Sequence, residues 1–463
     1  MPTLDPHRDF ATDVVRQLAA AGYVALWAGG CVRDLMRGRT PKDYDVATDA
    51  RPDQVREVFG RRRTIPVGES FGVIIVRGPD KAAGAVEVAT FRTEGAYADG
   101  RRPDSVVFAT AQEDAARRDF TINGMFFDPL SETLHDYVGG EADLGRGIVR
   151  AIGDPHDRMS EDKLRMLRAV RFTATLDFVL DDATAAGVRD MAGQITVVSW
   201  ERITQELRKM LLDPHREHAL RLCRELGLLN AIFPELVPIL NERRAESEKR
   251  RAESREPRAG EDYETLDSRL STLDSTHRNW WRTLHILGNL EEPGFELAMA
   301  ALLHTVPSPV ERPRRHDDPA GTVRGVCRRL KLSNAETDHI AWLVAHQHAL
   351  DDAPSLPIAV LKRLLVHHQI ADLIQLARRT ALAEQHQTPG LDFAADYLAR
   401  TPEGVLNPPD LLTGADLQAL GVTPGPKFKS LLNAVRDAQL NEEITTHDDA
   451  LDFARRLLDA GKP

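Results

Sequence analysis

The chain has 463 residues, 42% hydrophobic and 28% charged, with a formal net charge of −11. That length exceeds what one hydrophobic core organises, and the composition is that of a folded globular protein, so three or four domains or subdomains are expected. The acidic balance argues against indiscriminate nucleic-acid binding, no apolar run is long enough to span a bilayer, and three scattered cysteines (Cys31, Cys223, Cys327) suggest neither a disulfide framework nor a structural zinc site.

The first residues, MPTLDPHRDF, lack the apolar core of a signal peptide, and the cytoplasm is the expected compartment. Residues 1–150 alternate strand-like segments with turns, a mixed α/β pattern. WAGG closes one strand, DYDVAT forms a second, FGVIIVRG a third and AVEVATFR a fourth; DFTINGMFFDP reads as a further strand or short element. Arginines cluster at Arg61–Arg63, Arg101–Arg102 and Arg117–Arg118, each a solvated face unless the fold gathers them into a local basic surface.

The stretch 26–50, LWAGGCVRDLMRGRTPKDYDVATDA, carries the first chemistry. Residues i and i+2 of a strand share a face, so DYDVAT would present Asp43 and Asp45 side by side. Two carboxylates so close need a positive partner, and Mg²⁺ is commonly held by one or two carboxylates plus substrate phosphates. Gly29 and Gly30 would let backbone N–H groups approach a phosphate, with Arg33 pairing with its oxygens. Glu87, between apolar residues in AVEVATFR, is either an outward strand residue or a third carboxylate of the site.

From about residue 155 the pattern becomes helical. In DRMSEDKLRMLRAVRFTATLDF, Ser160 is the expected N-cap of a helix burying Leu164, Leu167, Val170 and Phe172. On that helix Asp162 and Arg165 would share a face, an acceptor beside a donor. WERITQELRKMLLDP and REHALRLCRELGLLNAIFPEL read as further amphipathic helices. Residues 241–260 are almost devoid of apolar side chains and mark a domain boundary nearby. Near the C-terminus TPGPKFK forms a turn between two helices, with Lys427 and Lys429 exposed beside it.

GGCVRDLMRGRTPKDYDVAT resembles the first motif of the class II tRNA nucleotidyltransferases and bacterial poly(A) polymerases, the family that includes the CCA-adding enzymes. ARRDFTINGMFFDP (116–129), DYVGGEADL (136–144), SEDKLRMLRAVRF (160–172) and ERITQELRKML (201–211) are similar to its second to fifth motifs, in the right order. The resemblance implies an α/β nucleotidyltransferase head of the polymerase-beta type at 1–150, then an all-α neck (151–215), body (216–385) and tRNA-binding tail (386–463). It implies transfer of nucleotides from CTP or ATP to a tRNA 3′ hydroxyl, with Asp43 and Asp45 holding two Mg²⁺ ions and Glu87 beside them. It further implies that Arg117, Arg118, Asp119 and Asn123 contact phosphates and ribose. Asp162 and Arg165 would read the base, and Arg168 and Arg171 meet the triphosphate or brace Asp162. Glu201, Arg202 and Glu206 would brace that helix, and Lys427 and Lys429 are candidate tRNA phosphate contacts.

Three departures from the family pattern stand out. Many bacterial relatives carry an HD-type phosphohydrolase region, which needs an adjacent His-Asp pair. Here Thr305 follows His304 and Arg282 stands at the first His position, so a helical scaffold without its metal is expected. Gly124 replaces the commoner Ala of the second motif. The segment 94–105 corresponds to a loop used by relatives that switch from C to A. The competing expectations are a poly(A) polymerase, a CC-adding or A-adding enzyme, a phosphohydrolase and an inactive RNA-binding relative. The oligomeric state is not legible.

Overall fold

Along Ala85–Thr90, Val86 and Val88 are fully buried while Glu87 between them is exposed, the period-two signature of a strand with one covered face. This computed structural model describes residues 5–68, 72–94, 106–237, 280–306 and 319–459. Arg101, Arg102, most of the 94–105 loop, the polar 241–260 stretch and His316 lie outside the described residues. The chain divides into two compact units, Met1–Val237 and Pro238–Pro463.

Through residue 135 of the first unit the strands are β1 (Ala25–Ala28), β2 (Asp45–Thr48), β3 (Thr64–Gly68), β4 (Val73–Arg77), β5 (Ala85–Thr90), β6 (Arg92–Glu94), β7 (Val106–Phe108), β8 (Phe126–Asp128) and β9 (Thr133–His135). Seven of them form one sheet in the order β3-β4-β5-β2-β1-β8-β9; β6 and β7 pair separately. Within the large sheet β2 and β5 run parallel and the other neighbours antiparallel. The DFTINGMFFDP segment supplies a 3₁₀ turn, Thr121–Asn123, and then β8.

One face of the sheet is sealed by helix α1 (Pro6–Ala20). Asp5 accepts the Arg8 N–H and Pro6 starts the first turn, a favourable N-terminus. Phe10, Val14 and Leu18, four apart, then pack in one core with Trp27, Val46 and Val88. Each such burial contributes about 1.5–3 kcal/mol. On the opposite face a smaller cluster gathers Leu26, Ala28, Ala47, Phe91, Ala115 and Phe126. Strand alternation puts Asp45 and Glu87 on that second face, away from α1.

The predicted single helix of the fourth motif is two. Helix α2 (Gly30–Met36) follows β1, and α3 (Pro52–Phe59), α4 (Ala111–Ala116) and α5 (Gly140–Arg146) complete the sheet region. Helix α6 then spans Pro155–Glu161, capped by Asp154, whose carboxylate accepts the His156 and Asp157 N–H groups. Helix α7 spans Arg165–Leu176. Ser160 is therefore inside a helix rather than at its cap; Asp154 followed by Pro155 is the stronger start signal. The chain breaks at Asp162, where the backbone is extended and the carboxylate captures the Leu164 N–H at 3.0 Å, a local bond that competes with helix continuation. After α8 (Asp182–Met191), helix α9 spans Trp200–Leu211.

The second unit is helical in its described residues. Phe295–Leu303 is apolar and almost wholly buried. Asn334–His346 opens with a reciprocal Ser333–Glu336 capping box. Towards the C-terminus Leu417, Leu431, Val435, Ile444, Ala450 and Ala454 form a separate small core. No helix among the described residues is long and apolar enough to cross a membrane.

Candidate nucleotide and metal site

Strand register assembles the carboxylates. Asp45 lies opposite Glu87 on the parallel neighbour β5 and opposite Ala28 on β1. Asp43 is not in the strand, contrary to the expectation of two carboxylates at i and i+2 of one strand. β1 ends at Ala28, the partner of Asp45, so no ladder remains for Asp43, which sits exposed in the preceding bend. Glu87 is an outward strand residue, and the register sets it beside Asp45.

The three carboxylates share one electrostatic field. The Asp45 carboxyl is pushed up to about 6, by burial and then by Glu87; Arg118 opposes the rise and Asp43 adds to it. The residue is nonetheless exposed to solvent. Among the described residues no three His, Cys, Asp or Glu side chains close into a cage for a metal ion. The donor set is all oxygen and open on one side, as a hard cation needs when phosphate oxygens complete its shell.

The GG turn also has a packing role. Gly29 has φ +72° and ψ −126°, a conformation essentially restricted to glycine. Its N–H donates to the Met125 carbonyl at 3.4 Å. What the missing Cβ permits is the approach of Arg118: a β-carbon there would lie 3.1 Å from Arg118 Nη1. Gly30 begins α2, and Arg33 on that helix donates from Nη1 to Asn123 Oδ1 at 2.9 Å and from Nε to Asp34 at 2.9 Å.

A residue missed in the sequence, Asp114, holds both arginines of the second motif. One oxygen accepts from Arg117 Nε and Nη2 at 2.9 and 2.6 Å, the other from Arg118 Nε and Nη2 at 3.1 and 3.0 Å. Burial would raise the Asp114 carboxyl, but the two guanidiniums outweigh it and hold it low. The spacing of three and four residues was a visible signal for this pairing. Asp119 is also buried. It accepts from Arg168 through Nε at 2.7 Å and also through Nη2, from Asn123 Nδ2 at 3.2 Å, and from the Phe120 N–H at 2.8 Å. Burial opposes ionisation, yet Arg168 and these donors lower its carboxyl to about 2.

Arg33, Arg168 and Arg171 converge on the ring of Phe172, at 5.3, 5.3 and 4.0 Å from its centroid. The ring's negative faces make this neighbourhood of like charges tolerable. Arg171 is further paired with Glu206, which also accepts from Lys209.

Asp162 and Arg165 do not share one helical face. Asp162 sits in the α6–α7 break and accepts from Arg202 Nη2 at 2.6 Å. Arg165 opens α7. Its Nη1 donates to Glu161 and the Arg158 carbonyl, and its Nη2 to the Arg117 carbonyl. Those bonds leave Nε–H and one Nη2–H of the fork uncommitted among the described contacts. Arg202 and Glu206 thus each hold a residue of the fourth motif, while Glu201 is exposed.

In the second unit, Lys427 and Lys429 are exposed in the first turn of the helix Pro426–Leu440. His304 is buried, with Nδ1 2.8 Å from the Ala301 carbonyl, and its imidazole is lowered to about 4, chiefly by burial. Arg282 lies 3.7 Å from Glu384.

The family model described as the poly A polymerase head domain matches residues 25–150, and that described as the probable RNA and SrmB-binding site of polymerase A matches 177–240. A CCA-adding enzyme of Lactiplantibacillus plantarum is 30% identical over 457 residues, 97% of this chain and 96% of that relative. The poly(A) polymerase I of Haemophilus influenzae is 38% identical over 259 residues, 52% of this chain and 56% of its own. Against that polymerase the match thus spans only about half the relative's length. The CCA-adding enzyme of Bacillus stearothermophilus, solved with CTP, superposes with a TM-score of 0.70 at 25% identity over 99% of both chains.

Proposed function

Since the chain belongs to the family of class II tRNA nucleotidyltransferases and bacterial poly(A) polymerases, we propose that it builds CCA on tRNA 3′ ends from CTP and ATP. The chain is a nucleotidyltransferase. The observation that carries the reading is Asp45 opposite Glu87 with Asp43 in the same field, fronted by Arg118 at the Gly29 turn. CCA addition is favoured over poly(A) synthesis because the match to a CCA-adding enzyme runs through nearly the whole of both chains.

Asp43 and Asp45 are the residues that would hold Mg²⁺, and the raised Asp45 carboxyl fits a site built to be neutralised by a cation. Two such ions, held there, would supply activation of the RNA 3′ hydroxyl and neutralisation of the departing pyrophosphate. Glu87 deepens the negative field at Asp45. Arg118 and Arg33 face the triphosphate, held in place by Asp114 and by Asp34 with Asn123. Asp119 orients Arg168 and Asn123, and Arg117 is fixed by the same Asp114. Arg171 is fixed by Glu206 and Phe172. Asp162 accepts the amino group of cytosine or adenine, and the remaining N–H groups of Arg165 donate to the ring nitrogen. No side-chain nucleophile is required, so positioning and charge complementarity carry the step.

On this reading residues 1–150 form the catalytic head, 151–215 the neck that reads the base, 216–385 the body and 386–463 a tail. Lys427 and Lys429 then meet tRNA phosphates, and the work is done in the cytoplasm. The test uses tRNA lacking CCA, tRNA ending in CC, and an unrelated RNA, each with Mg²⁺ and labelled CTP or ATP, singly and together. Addition of C, C and A followed by a stop supports the proposal. Long A-tracts on any RNA, or only C or only A, would overturn it in favour of a poly(A) polymerase or a partial enzyme.

A further inference from the structure

Between the exposed Asp43 and Asp45 stands Tyr44, which is buried. It belongs to the core under α1, so its side chain turns away from the carboxylates on either side of it. Its ring packs on Trp27 with centroids 4.8 Å apart, and the His7 ring meets it edge-on at 5.4 Å. Its hydroxyl donates to Asp5 Oδ2 at 3.1 Å, and a carboxylate acceptor makes such a bond stronger than a neutral one does. Asp5 is itself fixed, because Oδ1 accepts the Arg8 N–H at 3.1 Å as the cap of α1. Two residues on, His7 places Nε2 3.2 Å from the carbonyl oxygen of Ala85, the first residue of the strand that carries Glu87. The start of α1 thus reaches both segments that bear the acids.

Ladder register fixes Asp45 but does not extend to Asp43. Consecutive Cα atoms are about 3.8 Å apart, so a pinned Tyr44 confines the Asp43 backbone to a small region. On the reading of Asp43 and Asp45 as the Mg²⁺ residues, we propose that Tyr44, anchored by Asp5, is a positioning residue for the Asp43 carboxylate. Facing the core, Tyr44 acts through the backbone alone. Loss of its hydroxyl changes where Asp43 stands and leaves the charge of the site as it was.

The test is Mn²⁺ titration of the full-length protein by electron paramagnetic resonance, without nucleotide or RNA, beside the Mg²⁺ dependence of CTP addition to tRNA. Asp43→Ala sets the scale and should bind Mn²⁺ more weakly than every other variant. Tyr44→Phe keeps the ring and removes only the hydroxyl. It should weaken Mn²⁺ about tenfold, the usual cost of losing a group that orients a metal ligand, and raise the Mg²⁺ needed for half-maximal rate to match. Excess Mg²⁺ should then restore the parental kcat, which it would not do for a general loss of structure. Asp5→Ser keeps a helix cap but is too short to reach Tyr44, so it should repeat the effect, and the double variant should be no weaker than either single one. Tyr44→Phe binding Mn²⁺ as the parent does, a rate loss that Mg²⁺ leaves unrestored, or losses that multiply in the double variant would overturn the proposal while Asp43→Ala still upholds the metal reading. Parental Mn²⁺ binding by Asp43→Ala would overturn that reading and the proposal with it.

Discussion

Asp45 and Glu87 face each other across the one parallel strand pair of the large sheet, two carboxylates in register with no basic residue between them in the ladder. Like charges so placed are unfavourable on their own, and the Asp45 carboxyl, pushed up to about 6 first by burial, is raised further by Glu87. A protein gains from this arrangement when a cation is bound there.

Asp45→Asn should therefore lower nucleotide addition by at least about a thousandfold while leaving the fold intact. The same change should raise the Tm of the metal-free protein at pH 7, and much less at pH 4. The sign follows from a folded-state pKa above the ordinary value of 3.8: the folded state binds the extra proton, so this contribution to stability declines as pH rises from about 4 to 6. Scanning calorimetry at both pH values, with an activity assay, tests it; an unchanged Tm difference between the two pH values would refute the field argument.

Gly29→Ala places a side chain in a strained backbone region, 3.1 Å from Arg118 Nη1. The strain should destabilise the protein by about 1–3 kcal/mol. Displacement of Arg118 should raise KM for CTP and ATP more than it lowers kcat. Steady-state kinetics separate the two, and a variant with parental KM would show that Arg118 does not meet the triphosphate.

On the proposed reading, base selection depends on Asp162 and its anchor. Asp162→Ala should admit UTP and GTP, eroding discrimination from about 10⁴ by at least a hundredfold. Arg202→Ala keeps the carboxylate but removes its 2.6 Å partner, so correct addition should slow with less loss of selectivity. Single-turnover incorporation of all four nucleotides distinguishes these outcomes.

The acid limb of stability should report Asp119. Its carboxyl is lowered to about 2, so its contribution is complete above the ordinary value near 4 and lost as pH falls towards 2. About 2 kcal/mol is at stake for a buried group shifted this far. Asp119→Asn should flatten the stability–pH curve between pH 4 and 2, measured by urea unfolding; an unaltered slope would assign the acid sensitivity to other carboxylates.

Much of this site was legible because its chemistry is local in sequence. Asp43 and Asp45 declare themselves by spacing, and Val86-Glu87-Val88 declares a strand with one outward acid. Asp43 was misplaced because where a strand begins depends on where its partner ends, and β1 is remote in the chain. The break at Asp162 was hidden for a related reason. Leu164, Leu167, Val170 and Phe172 keep helical spacing through α7, while the interruption rests on Asp162 finding Arg202 across space. Helix α1 was readable from Asp5-Pro6 and the four-residue apolar repeat, and it was passed over. Asp114 was readable as an i,i+3 and i,i+4 partner. The Phe172 hub was not, since Arg33 reaches it from another motif.

The register of β2 on β5 has a consequence for how the protein comes to exist. Between these two strands the chain must first lay down α3 and the β3–β4 hairpin, so their pairing closes a long loop. Contacts of that kind form late, because the entropy of closure is spent before they contribute. A growing chain that has emerged only as far as β4 carries Asp43 and Asp45 but has no Glu87 to set against them. On the proposed reading, the pair of carboxylates on which transfer depends is therefore completed only once β5 has docked on β2.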